Sequence, residues 1–186
     1  MAVEIERPRR LFTIEEYEKM VETGILTKSD HVELIEGEVV EMSPIGDAHA
    51  ECVSNLTHLL VGAVGERARV WVQGPVRVPP TSKPQPDLAL LRPGSYKRGG
   101  VATSDAWLFI EVADTSLGYD RRTKLRIYAQ ARVPEYWIAD TNAEVIEVYR
   151  SPSGDRYTDT TRLACGQHVT PLAFPDIAIA VDAIFA

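Results

Sequence analysis

Apolar residues recur at the spacing of one helix face in three segments of the chain. The first, LFTIEEYEKMVE, contains Thr13 with Glu16 three residues later, the signature of a capping box. The second, GDAHAECVSNLTHLLVGAVGE, is amphipathic over about four to five turns. The third, DRRTKLRIYAQAR, has to end near Pro134, because proline disfavours helix in the residue before it.

Between and after these helices the pattern becomes that of β-strands. VELIEGEVVEM alternates apolar and polar residues around Glu36-Gly37 and predicts a hairpin. RVWVQ, VRV and DLALLR predict strands, and the continuous apolar run AWLFIEVAD is typical of a central strand covered on both faces. EYWIAD and EVIEVYR predict two strands joined at Thr141-Asn142, and the polar tail from Ser151 predicts two further short strands.

Mixed strands with helices packed against them predict an α/β or α+β fold. The 186 residues, 45% of them hydrophobic and 25% charged, suit one domain over residues 1–186 with a sizeable core.

The sequence has no run of about 18 apolar residues, so no transmembrane helix is predicted. MAVEIERPRR lacks the apolar region of a secretory signal. Cys52 and Cys165 form no CxxC pair, which predicts neither a disulfide framework nor structural zinc, and makes the reducing cytoplasm the default location.

The net charge of −7 argues against broad, sequence-independent adhesion to nucleic acid, because that affinity comes mainly from Lys and Arg contacts to phosphate. It leaves room for a local basic groove, or for an acidic cluster neutralised by a metal ion.

Glu111 is the one charged side chain in the apolar run from Trp107 to Ala113. A buried carboxylate is costly unless it is paired, protonated or bound to a metal. Strand alternation places Trp107 and Phe109 on its face, and neither can satisfy it. An ion pair with a neighbouring element, such as an arginine, and a functional site explain Glu111 equally well.

Asp87 and Lys124 are the other two candidates. Pro-Asp is common in turns, but Asp87 stands where DLALLR enters the sheet, and a neighbouring strand would bring it to Glu111. Two close acids repel unless a cation lies between them, and oxygen ligands suit Mg²⁺ or Mn²⁺. Helical phase turns Lys124 inward with Ile127 and Tyr128, where it needs an anionic partner unless it snorkels to the edge of that face.

Pro86-Asp87, then Glu111-Val112-Ala113 and a lysine resemble the PD-(D/E)xK nuclease pattern. The chain resembles in particular the Uma2 family of restriction-endonuclease-like proteins, formerly DUF820. The resemblance runs from about Leu11 to Arg150 through FTIEEYEKM, VELIEGEVVEMSP, His49, PQPDLALLRP, FIEVADTS, YDRRTKLRIYAQARVPEYWIAD and EVIEVYR. At Ala113, where the pattern has lysine, Uma2 members generally lack it too, and the resemblance implies that Lys124 takes over its role.

The resemblance implies a restriction-endonuclease-like fold, a mixed central sheet flanked by helices with an N-terminal helix and hairpin. It also implies Mg²⁺-dependent hydrolysis of DNA, with Mn²⁺ as a substitute, by the catalytic residues Asp87, Glu111 and Lys124. Asp87, Glu111 and the Val112 carbonyl would be the metal ligands. Glu33, Glu36 and Glu38 are candidates for an additional acid, with Glu33 the best match to the family, although a solvated hairpin face explains any of them equally well.

Several further expectations complete the sequence picture. His49 falls on an apolar helix face, where a hydrogen-bonded structural histidine is favoured over a ligand, although the resemblance moves it toward the edge of the site. Phosphate contacts are expected from part of a basic set, chiefly Lys97, Arg98, Arg121 and Arg122. A homodimer would suit duplex DNA, and no organic cofactor is expected. The alternatives are an RNA substrate, and a catalytically inactive nucleic-acid-binding or structural module with the same fold.

Overall fold

The computed structural model describes residues 9–186. Its α-helical and π-helical elements are α1 (Ile14–Glu22), α2 (Asp47–Val64), α3 (Leu117–Tyr119), a π-helical turn (Asp120–Lys124), α4 (Leu125–Gln130) and α5 (Val181–Ile184), and short 3-10 helices span Lys28–Asp30, Gly65–Arg67 and Thr103–Asp105. Its strands are β1 (Val32–Ile35), β2 (Glu38–Glu41), β3 (Arg69–Val72), β4 (Val76–Arg77), β5 (Leu88–Leu91), β6 (Val101–Ala102), β7 (Ala106–Ala113), β8 (Glu135–Asp140), β9 (Val145–Ser153), β10 (Arg156–Ala164), β11 (His168–Val169) and β12 (Ile179–Ala180).

Six strands form the central sheet in the order β10-β9-β8-β7-β5-β3. β7 and β8 are parallel, whereas the other neighbours are antiparallel, so the sheet is mixed. The remaining strands form the pairs β1-β2, β4-β6 and β11-β12. With helices on the sheet, this architecture confirms the predicted mixed α/β class. Within residues 9–186, no helix is long and apolar enough to cross a membrane.

The central strand β7 is covered on both faces, as its continuous apolar run predicted. On one face, Leu108, Ile110 and Val112 pack with α2 and α5, and we call this cluster the α2 core. On the other face, Phe109 and Ala113 pack with α4 and with an aromatic group that includes Tyr136, and we call this cluster the α4 core. Glu111 projects from β7 between Phe109 and Ala113 and is 4% exposed.

The N-terminal helix and hairpin follow the predicted local signals. Thr13 and Glu16 form the capping box of α1. The hairpin turns at Glu36 and Gly37, whose φ values are 50° and 84°, a pair of positive values that matches a type I′ turn. A Cβ on Gly37 would lie 2.6 Å from the Cβ of Leu11, so the turn also requires a residue without a side chain. The hairpin therefore lies against the segment preceding α1.

The expected position of Trp107 is wrong. β5 and β7 shift register between Leu90 and Leu91, so that Leu90 pairs with Leu108 and Leu91 pairs with Ala106. Trp107 is the extra residue of this bulge and packs against the α2 core rather than on the face of Glu111. The extra residue of a bulge shifts the alternation of side chains between the two faces of the strand by one position. Counting alternate residues back from Glu111 therefore assigns Trp107 to the wrong face.

The third helix is continuous but changes its winding. The N–H of Leu125 bonds to the carbonyl of Asp120, five residues back, which defines the π-helical turn. The helix ends at Gln130, before Pro134, as predicted.

The tail after Ser151 differs from the prediction of two short strands. β10 has nine residues and forms the edge of the central sheet, and it is followed by the pair β11-β12 and by α5. β10 is mostly exposed, so its sequence lacks the apolar alternation of a half-buried strand.

Candidate active site

A cavity of about 880 Å³ lies where the hairpin, the start of α2 and the C-terminal end of β7 meet. Its wall includes all three residues that the sequence singled out, Asp87, Glu111 and Lys124. Glu33, Glu41, Asp114 and Asp120 add four further carboxylates to the same wall. The fold therefore gathers acidic residues and one lysine from the hairpin, the start of β5, the C-terminal end of β7 and the π-helical turn around one space.

Asp87 stands directly before β5 and is held on both of its oxygens. Its Oδ2 accepts a hydrogen bond from the backbone N–H of Val112 at 2.9 Å, and the Nε2 of His49 lies 3.1 Å from its Oδ1. In a strand, the N–H and C=O of one residue point to the same neighbour. The carbonyl of Val112 therefore points to the side of β7 on which Asp87 lies.

Glu111 and Lys124 form a buried ion pair. The Nζ of Lys124 lies 3.1 Å from Oε1 of Glu111, and both residues are at most 5% exposed. The inward phase predicted for Lys124 is confirmed, and the partner that the isolated Glu111 required is a lysine rather than an arginine. Tyr128 also donates to Oε1 of Glu111, at 2.7 Å.

The carboxylates around Lys124 determine its charge state. Burial by itself would lower the pKa of Lys124, but attraction to Glu111 and Glu33 outweighs burial and raises the pKa above its usual value. Burial raises the pKa of Glu111 well above its usual value, and the ammonium opposes that rise. Neighbouring carboxylates, Asp87 among them, add to the rise. Lys124 therefore keeps its positive charge beside carboxylates that repel one another.

Of the three candidate glutamates Glu33, Glu36 and Glu38, Glu33 is the one that lines the cavity. It projects from β1, is 4% exposed, and has its Oε2 3.1 Å from the Nζ of Lys124. The backbone N–H of Gln85 donates to the same oxygen at 3.0 Å. Glu36 instead pairs with Arg126, and Glu38 pairs with Arg9 at the surface. The structure thus brings Glu33 to the predicted site and places the other two elsewhere.

His49 occupies the first turn of α2 and lines the cavity beside Asp87. Its hydrogen bond to Asp87 outweighs burial and raises the pKa of the imidazole. Its Nδ1 is buried and has no hydrogen-bond partner among the residues that the structure describes. The structure thus gives His49 the hydrogen bond expected of a structural histidine, and its partner is Asp87, a candidate metal ligand.

Sequence reasoning missed Asp120 and its neighbours. Asp120 is 3% exposed, lines the cavity, and accepts a hydrogen bond from Ser116 Oγ at 2.5 Å. Burial raises the pKa of its carboxyl to about 6. Tyr119 also lines the cavity. The signal for Asp120 was present, because it precedes Lys124 by four residues and so lies on the same helix face.

Three comparisons with known proteins bear on this site. A model of the Uma2 family, described as "Putative restriction endonuclease", matches residues 14–182. The chain belongs to the Uma2 family. Its fold is similar to that of a solved structure from Anabaena variabilis ATCC 29413, described as "a putative nuclease belonging to DUF820", with a TM-score of 0.73, 16% sequence identity, and coverage of 94% of this chain and 97% of that one. No curated protein matches the chain.

The basic residues expected to contact phosphate lie outside the cavity wall of this Uma2 chain. Arg121 pairs with Glu147, with its Nε 3.0 Å from the carboxylate, and Arg122 is exposed. Lys97 and Arg98 are exposed on the loop between β5 and β6. Of the described residues that line the cavity, Lys124 is the only lysine or arginine. Any contact of the four residues with a nucleic acid would therefore be made beyond the cavity.

The oxygen atoms of the Uma2 cavity suit a hard divalent cation such as Mg²⁺. Asp87 and Glu111 offer carboxylates, and Val112 offers a carbonyl on the same side of β7 as Asp87. Across residues 9–186, no three His, Cys, Asp or Glu side chains stand together as a metal-binding group. The donors fit a site of two carboxylates and a carbonyl, in which the cation keeps several water ligands as Mg²⁺ usually does.

Proposed function

We propose that the cavity binds Mg²⁺, or Mn²⁺ in its place, and hydrolyses phosphodiester bonds of DNA. Asp87, Glu111 and the carbonyl of Val112 are the proposed metal ligands, and Lys124 is the proposed catalytic cation. Membership of a family described as restriction endonucleases supports the choice of DNA. A homodimer, which we also propose, would present two such cavities to a duplex.

The observation that carries the proposal is the position of the Lys124 ammonium. The strand that bears Glu111 has Ala113 two residues later, so it offers no lysine of its own. Lys124 instead approaches from the neighbouring helix, and its Nζ lies 3.1 Å from Glu111 Oε1. Catalysis depends on where the ammonium lies rather than on which element carries it. This contact supports a site that is complete despite the departure at Ala113.

The residues of this chain supply charge and orientation. Two hydrogen bonds hold the carboxylate of Asp87, so it loses little conformational freedom when it binds a cation. Lys124 carries the positive charge that would stabilise negative charge developing on a phosphate. A bound Mg²⁺ would supply water of lowered pKa and neutralise charge on the phosphate. Glu33 also holds the ammonium, since its Oε2 lies 3.1 Å from the Nζ of Lys124.

Cleavage assays with matched variants test the proposal. We compare the wild type with Asp87→Ala and Lys124→Ala on supercoiled DNA, single-stranded DNA and single-stranded RNA, in Mg²⁺, in Mn²⁺ and in EDTA. Asp159→Ala, at an exposed carboxylate of β10, is the control. We expect the two site variants to lose at least about 100-fold in rate, the control to keep the wild-type rate, and EDTA to abolish cleavage.

The proposal fails if the wild type binds no divalent cation in a calorimetric titration with Mn²⁺ and its cleavage equals that of both site variants. Cleavage of RNA alone would keep the chemistry and replace the substrate.

A binding module without turnover is the second candidate. It is favoured by the pairing within the cavity, since Lys124 already contacts both Glu111 and Glu33 and could serve only to satisfy them. Such a module would bind nucleic acid equally well with and without Mn²⁺ and would cleave none. The calorimetric titration separates it from the nuclease before any cleavage assay.

A further inference from the structure

Tyr128 places a phenol beside the proposed metal ligand Glu111. The side chain is fully buried in α4, one turn after Lys124, and its hydroxyl donates to Glu111 Oε1 at 2.7 Å. A tyrosine hydroxyl ordinarily keeps its proton up to about pH 10, so the hydroxyl of Tyr128 is a donor at neutral pH. Tyr128 and Lys124 therefore approach Glu111 from the same face of one helix.

Both donors use the same oxygen of Glu111. The Nζ of Lys124 lies 3.1 Å from Oε1, the atom that also accepts from Tyr128. No donor within the described part of the chain is hydrogen-bonded to Oε2. Since Glu111 lines the cavity, two donors fix one of its oxygens and leave the other for a ligand.

Aromatic packing fixes the position of the phenol itself. The ring of Tyr128 meets the ring of Phe109 edge-on with centroids 4.9 Å apart, and the ring of Tyr136 with centroids 5.1 Å apart. Edge-to-face contacts of this kind are favourable and directional. The hydroxyl therefore reaches Glu111 from a ring that has little freedom to move, which is the arrangement expected of a group that orients a ligand.

We propose that Tyr128 is a positioning residue of the metal site: with Lys124 it holds Glu111 through Oε1, so that Oε2 is the oxygen presented to the cation. The inference rests on the proposed function, because it assigns Tyr128 a part in the same site. A structural tyrosine that merely satisfies its hydroxyl would affect stability and leave cation affinity unchanged.

Two matched substitutions separate these roles. Tyr128→Phe keeps the ring and removes the hydroxyl. Tyr157→Phe is the control, because Tyr157 belongs to the same aromatic cluster, is 7% exposed, and donates to the carbonyl of Val133 at 3.0 Å, a bond that does not involve Glu111. We measure Mn²⁺ affinity by calorimetry and urea unfolding for both variants. Where a variant is too unstable for calorimetry, the rise of its melting temperature with added Mn²⁺ reports the affinity.

We expect both variants to lose similar stability and only Tyr128→Phe to bind Mn²⁺ more weakly, by about 10-fold or more. If Asp87→Ala abolishes binding while Tyr128→Phe binds like the wild type, the positioning role is wrong and the proposed metal site survives. If the wild type itself binds no Mn²⁺, the positioning role and the proposed function both fail. Equal weakening in Tyr128→Phe and Tyr157→Phe would show a general effect of stability and would also overturn the inference.

Discussion

The two faces of β7 differ although they belong to one strand of eight residues. Toward α2, the strand presents Leu108, Ile110 and Val112 to a cluster made of hydrophobic residues. Toward α4, it presents Phe109 and Ala113 with Glu111 between them, and there the cover includes Lys124. Every residue of β7 except Trp107 is buried, so the difference lies mainly in the chemistry of the buried side chains.

This difference separates an apolar face of β7 from the face that carries the proposed site. Burial of apolar side chains stabilises the α2 face without any specific partner. A buried ion pair generally gives no more stability than well-packed hydrophobic residues of the same volume, and losing one partner is strongly destabilising. The proposed role in the cavity therefore explains the buried pair of Glu111 and Lys124 better than stability alone does.

The largest effect is expected from Lys124→Met, which removes the buried ammonium and keeps most of the side-chain volume. The carboxylates of Glu111 and Glu33 would then be buried without their cation, which we expect to cost about 3 to 5 kcal/mol of unfolding free energy at pH 7. Urea unfolding measures this loss. Repeating the measurement at pH 5 should shrink it, because burial raises the pKa of Glu111 and protonation of that carboxyl removes its unpaired charge.

A double variant sharpens this test. Glu111→Gln in the Lys124→Met background removes one of the unpaired charges, so it should recover part of the lost stability, whereas Glu111→Gln alone should destabilise the protein. Additive losses in the double variant would show that the two side chains are not coupled. The face of β7 toward α4 would then be stabilised by independent side chains, as the face toward α2 is, and not by a coupled pair.

A smaller effect of opposite sign is expected from Asp120→Asn. Burial raises the pKa of Asp120 from 3.8 to about 6, so the folded state binds a proton more readily than the unfolded chain. The contribution of Asp120 to the free energy of unfolding is therefore fully present below about pH 4 and is lost as the pH rises through about 6. This rise in the pKa of Asp120 corresponds to about 3 kcal/mol of unfolding free energy, which the neutral side chain of asparagine should restore at pH 7.5.

Urea unfolding of both proteins between pH 4 and pH 7.5 measures this difference. The carbonyl of the asparagine can still accept the hydrogen bond that Ser116 donates to Asp120, so the variant removes the charge and keeps that contact. Parallel stability curves for the two proteins over the whole range would contradict a raised pKa for Asp120.

Local patterns predicted the parts of the site that a single segment determines. Helical phase indicated that Lys124 points inward, and the isolation of Glu111 indicated that it needs a partner. The same phase argument applies to Asp120, four residues before Lys124, and could have found it. Capping and turn signals likewise predicted α1 and the hairpin, because these depend on residues that are adjacent in sequence.

Contacts between distant segments could not be predicted from local sequence patterns. Which of the candidate glutamates meets Lys124 depends on how the hairpin lies against the helix: Glu33 meets Lys124, and Glu36 meets Arg126. The bulge at Trp107 depends on the register between β5 and β7, which no local pattern in β7 reveals. The bond from Tyr128 to Glu111 is a tertiary contact of the same kind.

The smallest effect is expected on the α2 face, from Ile110→Val. Ile110 is fully buried beside Glu111 in sequence, yet its side chain belongs to the α2 core. Loss of one methylene should cost about 0.5 to 1.5 kcal/mol in urea unfolding. Mn²⁺ affinity and the cleavage rate should stay at the wild-type level, because no group of the cavity changes partner. A weaker Mn²⁺ affinity in this variant would mean that packing on the α2 face helps to set the geometry of Glu111, and that the two faces of β7 are not independent.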